Sequence, residues 1–251
     1  MTPIAFRIGS LEIYWYGICM ALAFLAGSAM ATYLAPRRNL PRDTVGDLLT
    51  WGIVGGLVGA RLLFVLQNFA SYLDRPLQMF NIREGGLVFY GGFILATLVL
   101  VWRARVKKLS LAGLADVLAV SLPLAHGVGR IGCFLHGCCH GRVYEGCCAV
   151  HYAVPDASYF PIQLVAACAN FVLSGVLFAL FFRVSFRGRL FPAYLMLYPL
   201  ARFLIEFGRG DYESRPFGLT PAQWVCFPVF AVGAVLWCRL RPGQRKEPAT
   251  K

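Results

Sequence analysis

The sequence has few charged residues for its length, and acidic residues are the scarcer kind. Of its 251 residues 14% are charged, with 12 acidic against 24 basic residues, whereas 58% are hydrophobic. Soluble globular chains carry about 25% charged residues. The sequence also lacks any low-complexity tract, so we exclude disordered, collagen-like and coiled-coil chains. A mean hydropathy of +0.63, with the apolar residues in long runs, indicates an integral membrane protein instead of a soluble enzyme.

Seven long apolar runs supply the spanning helices that this composition predicts. A spanning helix needs about 20 mostly apolar residues. The runs cover approximately residues 13–34, 47–66, 87–102, 111–128, 161–182, 190–207 and 221–238. We therefore predict an all-α, polytopic membrane protein with about seven transmembrane helices, folded as a single transmembrane domain over residues 1–251. Within that domain, residues 129–160 form a loop rich in cysteine and histidine.

Basic residues alternate between successive loops, and this alternation sets the orientation that we expect. Fifteen of the 24 basic residues fall in the loops after the first, third and fifth spans and in the C-terminal tail. Because positively charged loops stay in the cytoplasm, we predict an outward N-terminus, an outward-facing 129–160 loop and a cytoplasmic C-terminus. The net charge of +12 then reflects topology and lipid headgroups, and we expect no nucleic-acid partner. Acidic residues of the opposite loops are Asp74, Glu84, Glu145, Asp156, Asp211 and Glu213.

Five ionisable residues fall inside or beside the predicted spans, where charge is costly. They are Arg61, Asp116, Arg130, Arg202 and Glu206. Arg202 and Glu206 are four residues apart, so they share a helix face and are able to pair; a purely structural ion pair is the alternative. Three arginines against two acids still leave excess positive charge. Because a guanidinium donates two parallel hydrogen bonds to phosphate oxygens, we infer a phospholipid ligand.

Motifs along the whole chain resemble those of one enzyme family. Residues 129–137 (GRIGCFLHG) resemble the signature of the phosphatidylglycerol–prolipoprotein diacylglyceryl transferases. Further similar segments follow the family's order, at 14–17, 59–61, 85–92, 116, 161–163, 198–209 and 222–224. The resemblance implies a multi-pass enzyme of the bacterial inner membrane that needs no cofactor. Its partners would be membrane lipid, phosphatidylglycerol and the signal peptide of a preprolipoprotein, whose lipobox cysteine receives the diacylglyceryl group while glycerol phosphate is released.

Family roles carry over by position to a small set of residues. Arg130 and Arg202 are expected to bind the phosphate and to stabilise its growing charge, with Glu206 orienting Arg202. Tyr16 is expected to contact the headgroup or to position the thiol. The remaining predicted substrate-binding residues are Arg61, Arg209, Gly91, Gly92, Gln163 and Gly141.

Departures from the family pattern change the chemistry that we expect. Tyr90 stands where the family has a histidine proposed as the base. Because a tyrosine with a pKa near 10 is a poor base, Tyr90 is expected to relay a proton or to donate a hydrogen bond. Cys133 replaces an asparagine and Cys138 an acidic residue, and His140 is the reserve candidate for the base. A paralogue that binds the same lipid but serves another acceptor is therefore an alternative.

Three residues near this predicted site have simpler explanations. Tyr14 and Tyr198 fit better as aromatic anchors at the membrane interface than as site residues. His126 is expected to form a hydrogen bond between helices.

The thiols of the outward loop leave several alternatives open. The loop concentrates Cys133, His136, Cys138, Cys139, His140, Cys147, Cys148 and His151. Disulfides, a structural metal site and free thiols are all compatible with these residue types. We assign no metal ligand, since the spacing lacks the paired C-x-x-C of common zinc sites.

A membrane thiol oxidoreductase is the competing function, although the sequence also lacks a C-x-x-C redox pair. A transporter or a lipid-binding scaffold is disfavoured by the lack of an internal repeat.

Overall fold

Seven long α-helices dominate the structure, a computed structural model that describes residues 3–9, 11–73, 76–81, 85–153, 156–183, 186–210 and 216–240. The helices are α1 (Trp15–Leu34), α2 (Arg42–Gln67), α3 (Phe89–Val106), α4 (Leu111–His136), α5 (Ile162–Phe181), α6 (Leu190–Glu206) and α7 (Pro221–Arg239). Two antiparallel hairpins, which the sequence did not predict, pair β1 (Ile4–Ile8) with β2 (Leu11–Tyr14) and β3 (Val150–Ala153) with β4 (Asp156–Tyr159). The acids Asp74, Glu84, Asp211 and Glu213 and the basic tail after Leu240 lie outside the described residues.

Most of these helices have the length and composition of membrane spans. Within the described part of the chain, six are long and apolar enough to cross a membrane, namely all except α6. Helix α6 has 17 residues with Pro199 inside it. The predicted class, an all-α polytopic membrane protein, is confirmed. That α6 also crosses the bilayer, which would give seven spans, stays a prediction.

Helix α4 continues beyond its apolar run. The polar composition after residue 128 predicted a loop from 129 onward, but α4 ends only at His136. The added turns pack closely against α1, because a Cβ atom placed on Gly132 would lie 2.7 Å from the Cβ of Cys19. This tight packing stabilises a helical segment that composition alone assigns to a loop. The predicted 129–160 loop therefore begins at residue 137.

A glycine ends α4 in a defined geometry. Gly137 has a φ of +78°, in the left-handed region that favours glycine. Its N–H donates to the carbonyl oxygen of Phe134 at 3.2 Å, and the N–H of Cys138 donates to the carbonyl oxygen of Cys133 at 3.1 Å. This pair of bonds is the Schellman motif, which turns the chain back over the last helical turn. The motif therefore folds Cys138 back towards Cys133.

The chain divides into two compact units, Thr32–Leu114 in one and Met1–Ala31 with Ala115–Lys251 in the other. In the Thr32–Leu114 unit, glycines let α2 and α3 cross with their backbones in contact. A Cβ on Gly91 would overlap the backbone oxygen of Gly59, and one on Gly92 would lie 2.8 Å from the oxygen of Gly56. Small residues commonly allow such crossings between membrane helices. This packing accounts for Gly91 and Gly92, to which the resemblance assigned substrate binding.

The other unit has its core among α4, α5 and α6. Its fully buried apolar side chains include Val117, Val120, Leu177, Phe181 and Leu190. A buried carboxylate also contributes: Asp116 accepts hydrogen bonds from the N–H groups of Gly188 at 2.6 Å and Leu190 at 3.1 Å. These groups lie at the start of α6, where the helix dipole favours a negative charge. Asp116 is thereby explained as a structural residue.

We predict that Gly91→Ala destabilises the protein. The added methyl group must displace the α2 backbone, and such overpacking costs about 1–3 kcal/mol. The thermal unfolding midpoint of the detergent-solubilised protein should fall by about 2–4 °C for each kcal/mol lost.

Gly175→Ala is the matched control for this change. Gly175 lies within α5, and a Cβ at that position has no heavy atom within 4 Å. Alanine is the better helix former by roughly 0.5–1 kcal/mol, so this variant should unfold at the wild-type midpoint or slightly above it. Equal midpoints for the two variants would contradict the packing role of Gly91.

Candidate functional site

A narrow cleft between α4, α5 and α6 brings two of the predicted site residues together. Its polar lining comes from His126 and Arg130 on α4, Asn170 on α5, and Tyr198 and Arg202 on α6. Alanine, leucine and isoleucine side chains form the rest. The cavity volume is about 10 Å³, which is room for about one water molecule. Two guanidinium groups from different helices thus share one confined site.

A buried carboxylate fixes the Arg202 side chain. The Arg202 guanidinium lies 2.7 Å from Oε2 of Glu206, one turn further along α6. Glu206 is completely buried, and its Oε1 accepts a hydrogen bond of 3.1 Å from the Thr220 hydroxyl. Among the described residues Oε2 has this ion pair and no hydrogen bond, so the ion pair with Arg202 and the hydrogen bond to Oε1 together offset the cost of burying the charge. This geometry supports the predicted role of Glu206 in orienting Arg202.

Thr220 also begins helix α7, which ties the ion pair to a second helix. The N–H of Thr220 donates to Oε1 of Gln223 at 2.9 Å, and the N–H of Gln223 donates to Oγ1 of Thr220 at 3.3 Å. This reciprocal arrangement is a capping box, and its T-x-x-Q spacing is visible in the sequence. Gln223 also donates from Nε2 to the carbonyl oxygen of Phe203 on α6 at 3.2 Å. Sequence reasoning missed Thr220, since its contact with Glu206 depends on how α6 and α7 pack.

Arg130 has no such carboxylate partner in the part of the chain that the structure describes. Its Nε donates to Nε2 of His126, one turn earlier on α4, at 3.1 Å. Among the described residues its two terminal nitrogens have neither a hydrogen bond nor an ion pair. The cleft therefore contains two guanidinium charges against the single carboxylate of Glu206. This excess positive charge favours an anion as its ligand.

Two residues with simpler expected roles line the same cleft. Tyr198 was expected to be an interfacial anchor, but it lines the cleft with its ring 5.6 Å from that of His126. His126 was expected to bond between helices, but it accepts its hydrogen bond from Arg130 on its own helix. The expectation for His126 was wrong because position along a span does not fix which neighbour a side chain meets, and an anchoring role for Tyr198 stays a prediction. Asn170, which was not singled out, leaves its Oδ1 buried and without a partner among the described residues.

Three thiols meet where α4 ends, one turn after Arg130. The Sγ atoms of Cys133, Cys138 and Cys139, here called the cysteine cluster, all lie within 4.8 Å of one another. The neighbouring Cys133 and Cys138 thiols lower the pKa of Cys139, the positive charges of Arg209 and Arg130 act in the same direction, and burial opposes them. All nine cysteines are free thiols, so the structure does not support the disulfide alternative.

Gln163 and Tyr16 border the cysteine cluster and do not line the cleft. Gln163 is buried, and its Nε2 donates to the carbonyl oxygen of Cys138 at 2.9 Å. The Tyr16 ring lies 5.9 Å from the His136 ring and is within electrostatic reach of all three thiols and of Arg130. Gln163 therefore holds the turn that carries the cluster, where the resemblance predicted substrate binding.

The chain after the cluster lies against the end of α6. Gly141 forms an antiparallel bridge with Arg209, and a Cβ on Gly141 would lie 2.5 Å from the carbonyl oxygen of Phe160. Gly141 is therefore needed for close backbone contact. The His140 ring packs against Tyr159 with 4.0 Å between centroids, outside the cleft. Substrate binding by Gly141 and Arg209 and a base role for His140 stay predictions.

Arg61 lies in the Thr32–Leu114 unit, where protein acceptors occupy its guanidinium fully. A guanidinium has five N–H donors. Those of Arg61 bond at 2.8–3.4 Å to the carbonyl oxygens of Gln78, Met79, Gly85 and Gly86 and to the hydroxyl of Tyr72. Arg61 therefore fixes these backbone positions, and in this arrangement no donor is left for the predicted contact with phosphate.

Tyr90 belongs to the same unit and is open to its surroundings. It is the second residue of α3 and is 62% exposed, with its ring edge-on to that of Phe89. Its hydroxyl makes no hydrogen bond to any residue that the structure describes. A part for Tyr90 in moving a proton stays a prediction.

The helices define a multi-pass membrane protein, and its cleft between α4, α5 and α6 has an excess of positive charge. Comparison with known sequences identifies its family. The family model described as prolipoprotein diacylglyceryl transferase matches residues 3–239. The chain is 36% identical to the phosphatidylglycerol–prolipoprotein diacylglyceryl transferase of Geobacter sulfurreducens, over 97% of this chain and 98% of that one. It is 37% identical to the same enzyme of Aeromonas hydrophila, over 94% and 89%.

The chain belongs to the prolipoprotein diacylglyceryl transferase family, a family of bacterial membrane enzymes. The resemblance drawn from the motifs is thereby confirmed. These relatives carry the transferase name, and nothing in the comparison favours a thiol oxidoreductase, a transporter or a lipid-binding scaffold.

We predict that Arg61→Lys destabilises the protein although it preserves the charge. A lysine ammonium has three donors and cannot reach five separated acceptors, and each lost bond to a charged group costs about 1.5–3 kcal/mol. The thermal unfolding midpoint in detergent should fall clearly below that of the wild type. Arg105→Lys, at an exposed position near the end of α3, is the matched control and should leave the midpoint unchanged. A wild-type midpoint for Arg61→Lys would show that the five bonds contribute little.

Proposed function

We propose that this chain transfers the diacylglyceryl group of phosphatidylglycerol to the lipobox cysteine of a preprolipoprotein and releases glycerol phosphate. Its relatives are named for the substrates phosphatidylglycerol and prolipoprotein. The observation that carries the proposal is the cleft that Arg130 and Arg202 both line, with one carboxylate paired to Arg202. The phosphodiester of phosphatidylglycerol has one negative charge, which matches the one positive charge in excess.

The reaction forms one bond and breaks one bond. The thiolate sulfur of the lipobox cysteine attacks the diacylglyceryl carbon that carries the phosphate ester. The carbon–oxygen bond breaks, its electron pair goes to the phosphate oxygen, and glycerol phosphate leaves. Negative charge therefore grows on the phosphate in the transition state, where positioned guanidinium groups stabilise it most strongly.

The two arginines of the cleft have different roles in binding the phosphate, because their protein partners differ. Arg202 is held by Glu206, so it presents its remaining donors in a fixed direction. The terminal nitrogens of Arg130 bond to none of the described residues, so this side chain is able to adjust to the phosphate, to which a guanidinium donates paired hydrogen bonds. Glu206 acts through Arg202 and is a positioning residue.

Residues around the cysteine cluster serve the acceptor side of the reaction. Tyr16 offers a hydroxyl beside the cluster that positions the acceptor thiol or contacts the headgroup. Arg209, whose charge acts on Cys139, adds positive potential that favours a thiolate. Gln163 and Gly141 hold the backbone of this loop, which keeps the acceptor side fixed relative to Arg130.

The acceptor thiol must also lose its proton. A free thiol has a pKa near 8.5, so only about 3% of it is thiolate at neutral pH. Tyr90 is a poor base, and His140 packs against Tyr159 outside the cleft. Neither residue is therefore suited to remove the proton of the acceptor thiol, and another group must favour the thiolate form.

We predict that Arg130→Ala abolishes transfer while the protein still inserts and folds. Removing one donor to a developing charge costs about 10²–10³ in rate. Labelled phosphatidylglycerol and a lipobox peptide are incubated with each purified variant, and the mass gain of one diacylglyceryl group on the peptide is measured. A peptide with serine in place of the lipobox cysteine gives the background.

Arg105→Ala is the matched control, since this exposed arginine lies outside the cleft. It should transfer at the wild-type rate. Membrane abundance and unfolding midpoint should be the same for both variants, because Arg130 has no ion pair to lose among the described residues. Full activity of Arg130→Ala would contradict the site, and a change in thiol oxidation without peptide mass gain would contradict the function.

We also propose that the enzyme lies in the bacterial inner membrane with its N-terminus outside and its C-terminus in the cytoplasm. The alternation of basic loops supports this orientation. The exposed Cys147 and Cys148 then face outward. A membrane-impermeant maleimide should label them in intact spheroplasts, as detected by peptide mass. Labelling only after permeabilisation would reverse the orientation.

A further inference from the structure

The cysteine cluster has the geometry of a metal site with three sulfur ligands. Its Sγ atoms all lie within 4.8 Å of one another. Zinc binds thiolate sulfur at about 2.3 Å in a tetrahedron, which places the sulfur atoms about 3.8 Å apart. Shifts of about 1 Å or less therefore bring Cys133, Cys138 and Cys139 onto one ion. Three protein ligands leave the fourth position of the tetrahedron open, as catalytic zinc sites do.

Backbone geometry, not spacing, assembles this cluster. The Schellman motif at Gly137 folds Cys138 back over Cys133, and the next residue, Cys139, has a φ of +57°. A left-handed conformation is uncommon for a residue with a side chain and marks a site where the surroundings impose it. Searching for C-x-x-C pairs misses this arrangement, which explains why the sequence led to no metal ligand.

The protein holds the cluster in place from the outside. The buried amide of Gln163 binds the carbonyl oxygen of Cys138 at 2.9 Å. The ring of Tyr152, also buried, covers Gly137 so closely that a Cβ there would lie 3.1 Å from it. Such supporting contacts orient ligands and are typical of the surroundings of metal sites.

Charge around the cluster suits a metal bound by three thiolates. A divalent ion with three thiolates carries a net charge of −1. Arg209 and Arg130 act electrostatically on Cys139 and offset that charge. A soft ion is required, because thiolate ligands select zinc or cuprous copper over magnesium or calcium.

The cluster is also close to the proposed phosphate site. Cys133 follows Arg130 by three residues on α4, so the two side chains share a helix face. Arg130 lines the cleft with Arg202. A ligand in the open position of the metal would therefore lie about one helical turn from the bound phosphate.

We propose that Cys133, Cys138 and Cys139 bind one zinc ion, or another thiophilic ion, whose open position takes the thiol of the acceptor cysteine. This inference rests on the proposed function. On binding the metal the thiol releases its proton to solvent, because metal-bound thiols are deprotonated. The bound sulfur then attacks the glyceryl carbon, the carbon–oxygen bond breaks, and its electron pair leaves with glycerol phosphate. The metal keeps its oxidation state throughout, and the thioether product dissociates from it.

Metal content is the first test. The full-length protein is purified in detergent under reducing conditions without chelator, loaded with Zn²⁺, desalted and analysed by elemental mass spectrometry. We expect about one zinc per chain, and a loss of most of it in Cys133→Ser, Cys138→Ser and Cys139→Ser. Cys147→Ser and Cys148→Ser, exposed thiols of the same loop outside the cluster, are the matched controls and should keep it. Less than a tenth of an equivalent in the wild type, or equal loss in the controls, overturns the proposal.

Cobalt substitution tests the open position independently of catalysis. With Co²⁺ loaded in place of zinc, a lipobox peptide should add a fourth sulfur and strengthen the thiolate-to-cobalt absorption, whereas the peptide with serine should not. The spectrum also reveals misfolded variants, because a disrupted site loses the absorption altogether. An unchanged spectrum with the cysteine peptide overturns the proposal even where metal is bound.

The transfer assay separates failure of this inference from failure of the proposed function. Chelator-treated protein should lose at least about tenfold in transfer rate and recover it with Zn²⁺, since full ionisation raises the thiolate fraction about 30-fold at neutral pH. Transfer at the full rate without metal overturns the metal site and leaves the function standing. Binding of the peptide thiol to cobalt without any transfer by the zinc form upholds the site and contradicts the function.

Discussion

The buried ion pair of Arg202 and Glu206 is the interaction on which the geometry of the cleft depends. A carboxylate with no exposure is tolerated only when its charge is compensated, and here Arg202 pairs with Oε2 and the Thr220 hydroxyl donates to Oε1. Loss of one partner of such a pair typically costs about 3–5 kcal/mol. Because Thr220 also caps α7, the same contacts fix the start of that helix. The pair therefore joins the packing of α6 and α7 to the direction of one site arginine.

Arginines in this protein differ in function according to the acceptors that surround them. Arg61 donates all five of its hydrogen bonds to neutral backbone and hydroxyl oxygens, so it stabilises local structure. Arg202 pairs with one carboxylate, and among the described residues Arg130 donates only from its Nε, to a histidine. Unused donors beside a confined cavity are costly in a membrane unless a ligand meets them. The number of donors that protein acceptors already occupy therefore distinguishes an arginine that is able to bind phosphate from a structural arginine. Position along a span does not distinguish the two as sharply.

Sequence patterns predicted the features that depend on neighbouring residues along the chain. Apolar runs placed all seven helices, and the four-residue spacing of Arg202 and Glu206 predicted their pairing, since both follow from helix periodicity. What these patterns missed depended on packing between distant segments. The end of α4 was set by contact with Cys19, and Tyr198 entered the cleft because of the way α6 packs. Cys139 joined its cluster through a left-handed backbone that spacing does not reveal.

The position of the cysteine cluster connects two features that otherwise stand apart. The cleft supplies positive charge for a leaving phosphate, but the residues that line it include no group suited to ionise a thiol, since His126 is engaged by Arg130. A metal ion solves that problem without a base, because coordination stabilises the thiolate directly. It also needs anionic ligands that remain compatible with nearby arginines, and thiolates beside Arg130 and Arg209 are mutually stabilising with them. The arginines that favour a phosphate thus also favour a thiolate-bound metal. The same positive charge therefore stabilises both the thiolate nucleophile and the phosphate leaving group.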